Sequence, residues 1–221
     1  MARPHGDLTR ARLIEVAGQV FAERGFHAAT GQQICRRAGA NAAAIVYHFG
    51  GMDGLYRAVL DEAQRRLVST EALAAAAAAQ RDPVKKLQAF LGLIVQALAS
   101  PASRSWAGKL FGREFVSPSA LYGRSHDRLL RTRAGILKGI VADICGLTPQ
   151  DPSVARACLS IMAPCAVMLL VDRSKMGRLF PQLRLRTEDV PRMTQHLVAF
   201  ALAGLRALKS SHTRAARAAT R

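Results

Sequence analysis

The 221-residue sequence has only four cysteines, and none are spaced closely enough to indicate a metal site. Each cysteine lies in or beside a predicted apolar helix, where a buried thiol acts as a small hydrophobic residue. A redox or metal role is the alternative interpretation. We expect neither a metal nor a cofactor, and unpaired thiols favour a cytoplasmic protein. The four residues are Cys35, Cys145, Cys158 and Cys165.

The sequence also lacks the groups that catalysis or membrane insertion needs. It shows no nucleophile with a partner base, no carboxylate pair and no phosphate-binding glycine loop, so we do not expect an enzyme. Residues 1–9 are polar and do not resemble a signal peptide. The longest apolar run, 157–171, is interrupted by Ser160 and Pro164 and looks too short to span a bilayer. We therefore expect a cytoplasmic protein without membrane contact.

A β-sheet is not expected, because no segment alternates β-branched and polar residues between turns. Apolar residues instead recur every three or four positions, as in amphipathic helices. The pattern predicts an all-α fold of about nine helices. We expect a three-helix head at 1–52, a helical body at 53–208 and a basic, disordered tail at 209–221. The fourth helix is predicted to run on through the polyalanine segment 74–79, for which a flexible linker is the alternative. The later helices are predicted at 83–100, 103–116, 118–144, 152–174 and 187–208.

Residues 26–60 carry the clearest functional signal. Thr30 is a natural N-cap for a short helix, and Gly39 ends it, because glycine adopts a left-handed conformation without a Cβ penalty. Asn41 can cap a second helix, Ala42 to Tyr47. Two short helices joined by a glycine turn form a helix-turn-helix, whose second helix enters a DNA groove.

These residues resemble the DNA-binding domain of the TetR family of transcriptional regulators. Two positions depart from it: the family usually has an aromatic residue at Val46 and a phosphate-contacting lysine at Met52. The body is similar to the CecR-like subgroup, and the resemblance implies a ligand pocket there. The head match rests on 21–26, Thr30, Ile34, 38–39, Ile45, 47–49 and Leu55; the body match rests on 113–115, 117–120, 151–153, 160–161 and 195–196.

Nine head residues are candidates for contact with double-stranded DNA. Gln32 and Asn41 can bond base edges, although capping is the favoured role for Asn41. Tyr47 and His48 suit phosphate contact, and a partner within the head is the alternative for His48. Arg36 is as consistent with a solvated side chain as with DNA contact. The candidates are Thr30, Gln32, Gln33, Asn41, Ala42, Ala43, Ala44, Tyr47 and His48.

The last two long helices are apolar on more than one face, which exceeds what one core would bury. Two-fold pairing into a four-helix bundle would remove this surface from water; a single thick monomeric core is the alternative. A homodimer would also supply two reading heads. The candidate interface residues are Ala163, Ala166, Leu170, Leu197, Phe200, Ala201, Gly204 and Leu208.

Aromatic and polar residues of the body suggest a pocket for a small-molecule effector. Ordinary core packing is the alternative for each of them, and Arg113 can instead pair with Glu114. The candidates are Trp106, Phe111, Arg113, Phe115, Tyr122, His126 and Met162.

The net charge of +17 suits a polyanionic partner, but it is not concentrated in the head. Residues 1–70 hold nine Lys and Arg against six Asp and Glu, a charge of +3, which leaves +14 for the remainder. The basic end of the chain is either a solvated terminus or an added phosphate contact. We expect a ligand-responsive repressor released from a palindromic operator. The alternatives are a non-specific architectural DNA-binding protein and a helical enzyme.

Overall fold

The computed structural model describes residues 4–171, 173–183 and 185–219, apart from the side chains of 4–5, 123–129, 173 and 215–219. All regular structure in these ranges is helical, which confirms the all-α prediction. Twelve α-helices occur there: α1 Pro4–Arg24, α2 Gly31–Ala38, α3 Ala43–Phe49, α4 Met52–Leu67, α5 Thr70–Ala78, α6 Pro83–Ala99, α7 Pro101–Arg104, α8 Trp106–Val116, α9 Ala120–Cys145, α10 Pro152–Leu170, α11 Arg173–Leu179 and α12 Val190–Ala219. A 3-10 turn at Thr187–Asp189 precedes α12.

The chain forms two compact units, each built from separate stretches of sequence. Unit 1 comprises Met1–Leu67 and Pro101–Asp127, and unit 2 comprises Val68–Ser100 and Arg128–Arg221. Unit 1 is therefore larger than the head expected at 1–52, because α4, α7, α8 and the start of α9 pack with it. The packing of residues 101–127 with the head was not predicted, because these residues lie far from the head in the sequence.

Three aromatic rings from α1, α4 and the turn after α1 meet in the core of unit 1. Phe21 and Tyr56 are fully buried and pack edge to face, with 4.7 Å between ring centroids. Phe26 lies at the same distance from Tyr56. The apolar residues of α1 that recur every three or four positions between Leu13 and Phe21 face this core. Ile34 of α2 is buried with them. The core thus holds α2 and the helix that follows the motif in a fixed arrangement.

The predicted long fourth helix is wrong, because the chain breaks between α4 and α5. Ser69 begins α5 by accepting a hydrogen bond from the Ala72 N–H at 3.0 Å. Arg133 of α9 donates to the carbonyl oxygen of Val68 at 2.6 Å and to the hydroxyl of Thr70 at 2.9 Å. These bonds satisfy backbone groups that a break leaves without helical partners.

Three further helix boundaries differ from the predictions. Ser105 caps α8, accepting from the Ala107 N–H at 3.2 Å, so the predicted helix at 103–116 is divided into α7 and α8. The eighth predicted helix ends at Leu170 rather than 174, and α11 follows it. The last helix continues past Leu208 to Ala219, through the segment where we expected a disordered tail; residues 220 and 221 lie outside the described part. A serine cap can start a new helix, and alanine-rich sequence can extend one. The predictions gave too little weight to both effects.

Unit 2 has its own core, formed by buried residues of α5, α6, α9, α10 and α12. Leu87, Leu91 and Val95 of α6 are fully buried in it, as expected for apolar residues that recur every four positions along one helix face. The helix α10 leaves much of its apolar surface outside this core. By length and composition alone, α10 is apolar enough to cross a membrane. Only 22% of its most apolar 18-residue stretch is buried in the protein. The apolar run 157–171 predicts a helix buried on several sides, and this prediction is wrong for the single chain.

Candidate nucleic-acid interface

The first helix of the motif begins and ends as its sequence predicts. The Thr30 hydroxyl accepts a hydrogen bond from the Gln33 N–H at 3.3 Å, a cap that typically contributes about 1 kcal/mol. At the other end Gly39 adopts φ 60°, and its N–H donates to the Arg36 carbonyl at 3.3 Å. The next N–H, of Ala40, donates to the Cys35 carbonyl at 3.0 Å. The chain thus reverses within two residues of the end of α2.

Asn41 precedes the second helix and bonds its first turn, which supports the capping role favoured for it. Its side-chain oxygen accepts a hydrogen bond from the Ala43 N–H at 3.0 Å. The Cys35 thiol reaches the Asn41 carbonyl oxygen at 3.4 Å, which fastens the turn to the buried side of α2. Cys35 is buried, and burial raises the pKa of its thiol, as expected for a structural rather than reactive cysteine.

One face of α3 is buried and the opposite face is open to solvent. Ile45 is 4% exposed and anchors the helix to the core of unit 1. Tyr47 is 84% exposed and Val46 is 65% exposed, and Ala42 and Ala43 one turn earlier are also exposed. A cluster of exposed apolar side chains, unlike a single one, can mark an interaction site. The small residues allow close backbone approach, while Val46 and Tyr47 project from the same surface.

Val46 was missed as a candidate. In the sequence-based prediction Val46 is only a position that departs from the family pattern. Its helical position was the available signal, because Val46 follows the buried Ile45 directly and lies three and four residues after Ala43 and Ala42. A branched apolar side chain in this position can contact a thymine methyl group in the major groove.

His48 is half-buried and packs within the head. Its ring lies 4.9 Å from the Tyr47 ring, at an interplanar angle of 80°. Gly6 of α1 is close on the other side, since a Cβ atom built there would lie 3.9 Å from His48 Cε1. These contacts support the alternative given to His48, a partner inside the head. Of the remaining candidates, Thr30 and Gln32 are exposed, and Gln33 and Ala44 are half-buried.

Arginines of α1 and α2 supply the positive charge beside the motif. Arg37 forms a salt bridge with Glu23 at 3.1 Å, whereas Arg36 projects into solvent. Arg12 approaches the turn, with its Nη2 atom 3.6 Å from a Cβ built on Gly39. Arg10 lies over the Phe49 ring, 5.4 Å from the centroid. Arg10 and Arg12 were not among the predicted DNA-contacting residues. They lie on α1, before the motif, and the sequence does not show which face of α1 packs beside the motif.

Met52 occupies the place of the family's phosphate-contacting lysine. It is half-buried, and its sulfur lies 3.5 Å from a Cβ atom built on Gly31. The side chain therefore packs under the start of α2. Positive charge at this edge of the motif has to come from other residues.

The predicted effector residues are divided between the two units. Trp106 and Tyr122 belong to the core of unit 1, whereas Met162 packs against the core of unit 2. Phe115 is 48% exposed, and Phe111 is half-buried on α8. Arg113 reaches the turn after α1, and the side chain of His126 lies outside the described residues. Glu114 bonds to Tyr56 and Ser119 instead of pairing with Arg113. Core packing accounts for Trp106 and Tyr122, but not for the exposed Arg113 and Phe115.

A groove in unit 2 lies between α10 and α12 and has a volume of about 280 Å³. Its walls are mostly apolar and include five of the eight residues predicted for the dimer interface. Phe200 at its rim is 75% exposed, and Leu159 on the same helix pair is 73% exposed. Leu197 and Ala201 form its floor and are almost fully buried. The lining residues are Ser153, Arg156, Ala157, Ser160, Ile161, Pro164, Leu197, Phe200, Ala201, Gly204, Leu205 and Leu208.

The capped helix pair, its tight glycine turn and the exposed face of α3 together define a helix-turn-helix protein of the DNA-binding class. Residues 13–59 match the bacterial regulatory proteins of the tetR family, and residues 83–205 match the C-terminal domain of the HTH-type transcriptional dual regulator CecR. The second match covers more than half of the chain. The protein belongs to the TetR family of transcriptional regulators and has a CecR-like C-terminal domain.

Individual relatives agree with this assignment. The HTH-type transcriptional regulator UidR of Escherichia coli K12 is 27% identical over 92 residues, which span 42% of this chain and 42% of UidR. A putative transcriptional regulator of Pseudomonas aeruginosa PAO1 is similar in fold, with a TM-score of 0.64, 21% identity and 92% and 93% of the two chains covered. A tetR-family regulatory protein from Rhodococcus RHA1 has a TM-score of 0.64 and 20% identity, over 88% and 95% of the chains. Both structures show a shared fold.

Proposed function

We propose that the protein is a homodimeric, ligand-responsive repressor that binds a near-palindromic DNA operator in the cytoplasm. The exposed face of α3 carries this proposal, because it projects Val46 and Tyr47 from a helix otherwise anchored by Ile45. In the proposed complex Gln32 bonds one base edge, Val46 contacts a thymine methyl group, and Tyr47 bonds a phosphate. Arg10, Arg12 and Arg36 add charge along the backbone.

Dimerisation follows from the groove between α10 and α12. Phe200 at its rim and Leu159 elsewhere on α10 are exposed, and burial of each of these large side chains would contribute roughly 1.5–3 kcal/mol. A second copy of the chain is the proposed occupant, since a two-fold contact pairs this surface with itself. Two reading helices would then enter successive major grooves about 34–36 Å apart. The same pairing accounts for an apolar α10 without a membrane.

Effector control is the finer part of the proposal. A small, largely apolar molecule would bind among the helices of unit 2 and lower DNA affinity by changing the separation of the two heads. Thermodynamic linkage then requires that operator and effector weaken each other's binding by the same factor. Of the predicted effector residues, Met162 is the one that belongs to unit 2, where it packs against the core.

Selection of bound fragments from the source genome tests the central claim. Recovered fragments should share a sequence with two-fold symmetry, and a footprint should cover two half-sites on one face of the duplex. Sedimentation of the complex should give two chains per site. Binding that falls steeply with salt and shows no sequence preference would contradict the proposal.

That second outcome would favour a non-specific architectural protein. One observation supports this alternative, namely that most of the positive charge lies outside the motif. Residues 1–70 account for +3 of the +17, and exposed Arg206, Lys209 and Arg214 follow one another along α12. Fragment selection separates the two functions, because an architectural protein would recover fragments without a shared sequence.

A further inference from the structure

A buried carboxylate in unit 1 joins three helices. Glu114 of α8 is 3% exposed, yet it forms no ion pair within the described residues. One of its oxygens accepts a hydrogen bond from the Tyr56 hydroxyl on α4. The other accepts from the Ser119 N–H at 2.8 Å and from the Ser119 hydroxyl at 2.9 Å. Burying a carboxylate is costly, and these three donors offset that cost.

Each partner of Glu114 has a second structural role. Ser119 begins α9, since its hydroxyl accepts from the Tyr122 N–H at 3.3 Å. The Tyr56 ring is fully buried between Phe21 and Phe26, in the core that also holds α1. Burial and the bond to Glu114 raise the pKa of Tyr56, which keeps its hydroxyl protonated as a donor. Glu114 therefore bonds both the first turn of α9 and the helix that follows the reading helix.

We propose that Glu114 is a positioning residue that couples the first turn of α9 to α4, and through them links effector binding to DNA binding. The helix α9 continues from this turn into unit 2, whereas only two residues separate α4 from the end of α3. A shift at the start of α9 would break the Ser119 bonds unless Glu114 and Tyr56 move with it. An unsatisfied buried carboxylate is unfavourable, so joint movement is favoured. This inference rests on the effector control proposed above.

Amide hydrogen exchange of the full-length protein tests the coupling without DNA. Ser119→Ala should speed exchange in the first turn of α9 and, because Glu114 is shared, also at residues 55–60 of α4. Loss of one hydrogen bond corresponds to roughly a two- to tenfold change in rate. Ser69→Ala is the matched control, since it removes a comparable cap from α5 without touching Glu114. Faster exchange confined to the first turn of α9 would overturn the coupling.

A second measurement uses the duplex recovered by fragment selection. Its binding should slow exchange of the Ser119 and Tyr122 amides in the natural protein. Tyr56→Phe removes one hydroxyl and keeps the ring, and it should abolish that slowing while the α3 amides stay protected by DNA. Equal slowing in both proteins, or none in the natural protein, would overturn the inference. If no specific duplex is recovered, the proposed function fails, and the DNA-free experiment still decides whether Glu114 couples the helices.

Discussion

Gly18 and Trp106 contact each other so closely that a Cβ atom at residue 18 would lie 2.4 Å from two carbons of the indole ring. The indole N–H donates to Glu15 at 2.9 Å, and the Arg66 guanidinium covers the ring, 4.9 Å from its centroid. Arg66 also bonds Glu15 at 2.7 Å. The only tryptophan of the chain thus packs α8 against α1 and α4, which makes it a core residue of unit 1.

Gly18→Ala should therefore destabilise the protein. Since the neighbouring atoms belong to a rigid ring, the added methyl group cannot be accommodated by a side-chain rotation, and overpacking of this kind costs about 1–3 kcal/mol. The free energy of unfolding in urea, followed by Trp106 fluorescence, measures the effect. Gly135→Ala is the control, because a Cβ there meets nothing within 4 Å, and it should stabilise α9 by about 0.5–1 kcal/mol. Equal stability of the two variants would contradict the packing described here.

The helix-turn-helix could be predicted because its signals are local. Thr30, Gly39 and Asn41 act on backbone groups within three residues of themselves, so their types and spacing are sufficient. The number of helices was underestimated for a related reason. Ser69 and Ser105 are equally local caps, but neither stands beside a glycine or proline signal strong enough to divide a helical pattern.

The effector residues could not be placed from the sequence because their environment depends on distant partners. Trp106 bonds Glu15, which lies 91 positions earlier in the chain, and Tyr56 and Glu114 are 58 positions apart. An aromatic residue has the same helical periodicity whether it faces a pocket or a core. The surplus apolar surface of α10 and α12 was easier to find, since it can be counted along a single helix; the dimer interface assigned to it stays a prediction.

Residues of α2 and α3 should affect DNA binding in distinguishable ways. Tyr47→Ala should weaken binding to every duplex, and Tyr47→Phe should reproduce most of the loss if the hydroxyl meets a phosphate. Gln32→Ala should instead reduce discrimination at one base pair by about 1–3 kcal/mol. Val46→Ala should lower affinity only for sites with thymine at the contacted position. Competition binding against single-base variants of the operator measures these effects, and equal losses on specific and random DNA would remove Gln32 and Val46 from the reading surface.

Stability should depend on pH through Asp151, the N-cap of α10. The hydrogen bond from the Ser153 N–H, at 2.7 Å, lowers the pKa of the Asp151 carboxyl, and His212 and Arg156 act in the same direction. Because the folded pKa lies below the unfolded value of about 3.9, the contribution is complete above that pH and is lost as pH falls through the folded pKa. Asp151→Asn can still cap α10, so it should be less stable at neutral pH and approach the natural protein in acid. Urea unfolding of both proteins between pH 3 and 7 tests this; a difference independent of pH would rule it out.

A charge placed in the groove between α10 and α12 should separate the dimer without unfolding the chain. Gly204 is suitable, because it is exposed and a Cβ there meets nothing within 4 Å of the single chain. In the proposed interface Gly204→Glu would desolvate an unpaired carboxylate at a cost of several kcal/mol. Sedimentation velocity should show monomers, while circular dichroism shows unchanged helix content. Gly135→Glu adds the same side chain to an exposed site on α9 and should leave the dimer intact. A dimer that survives Gly204→Glu as well as it survives Gly135→Glu would place the interface on another face of the protein.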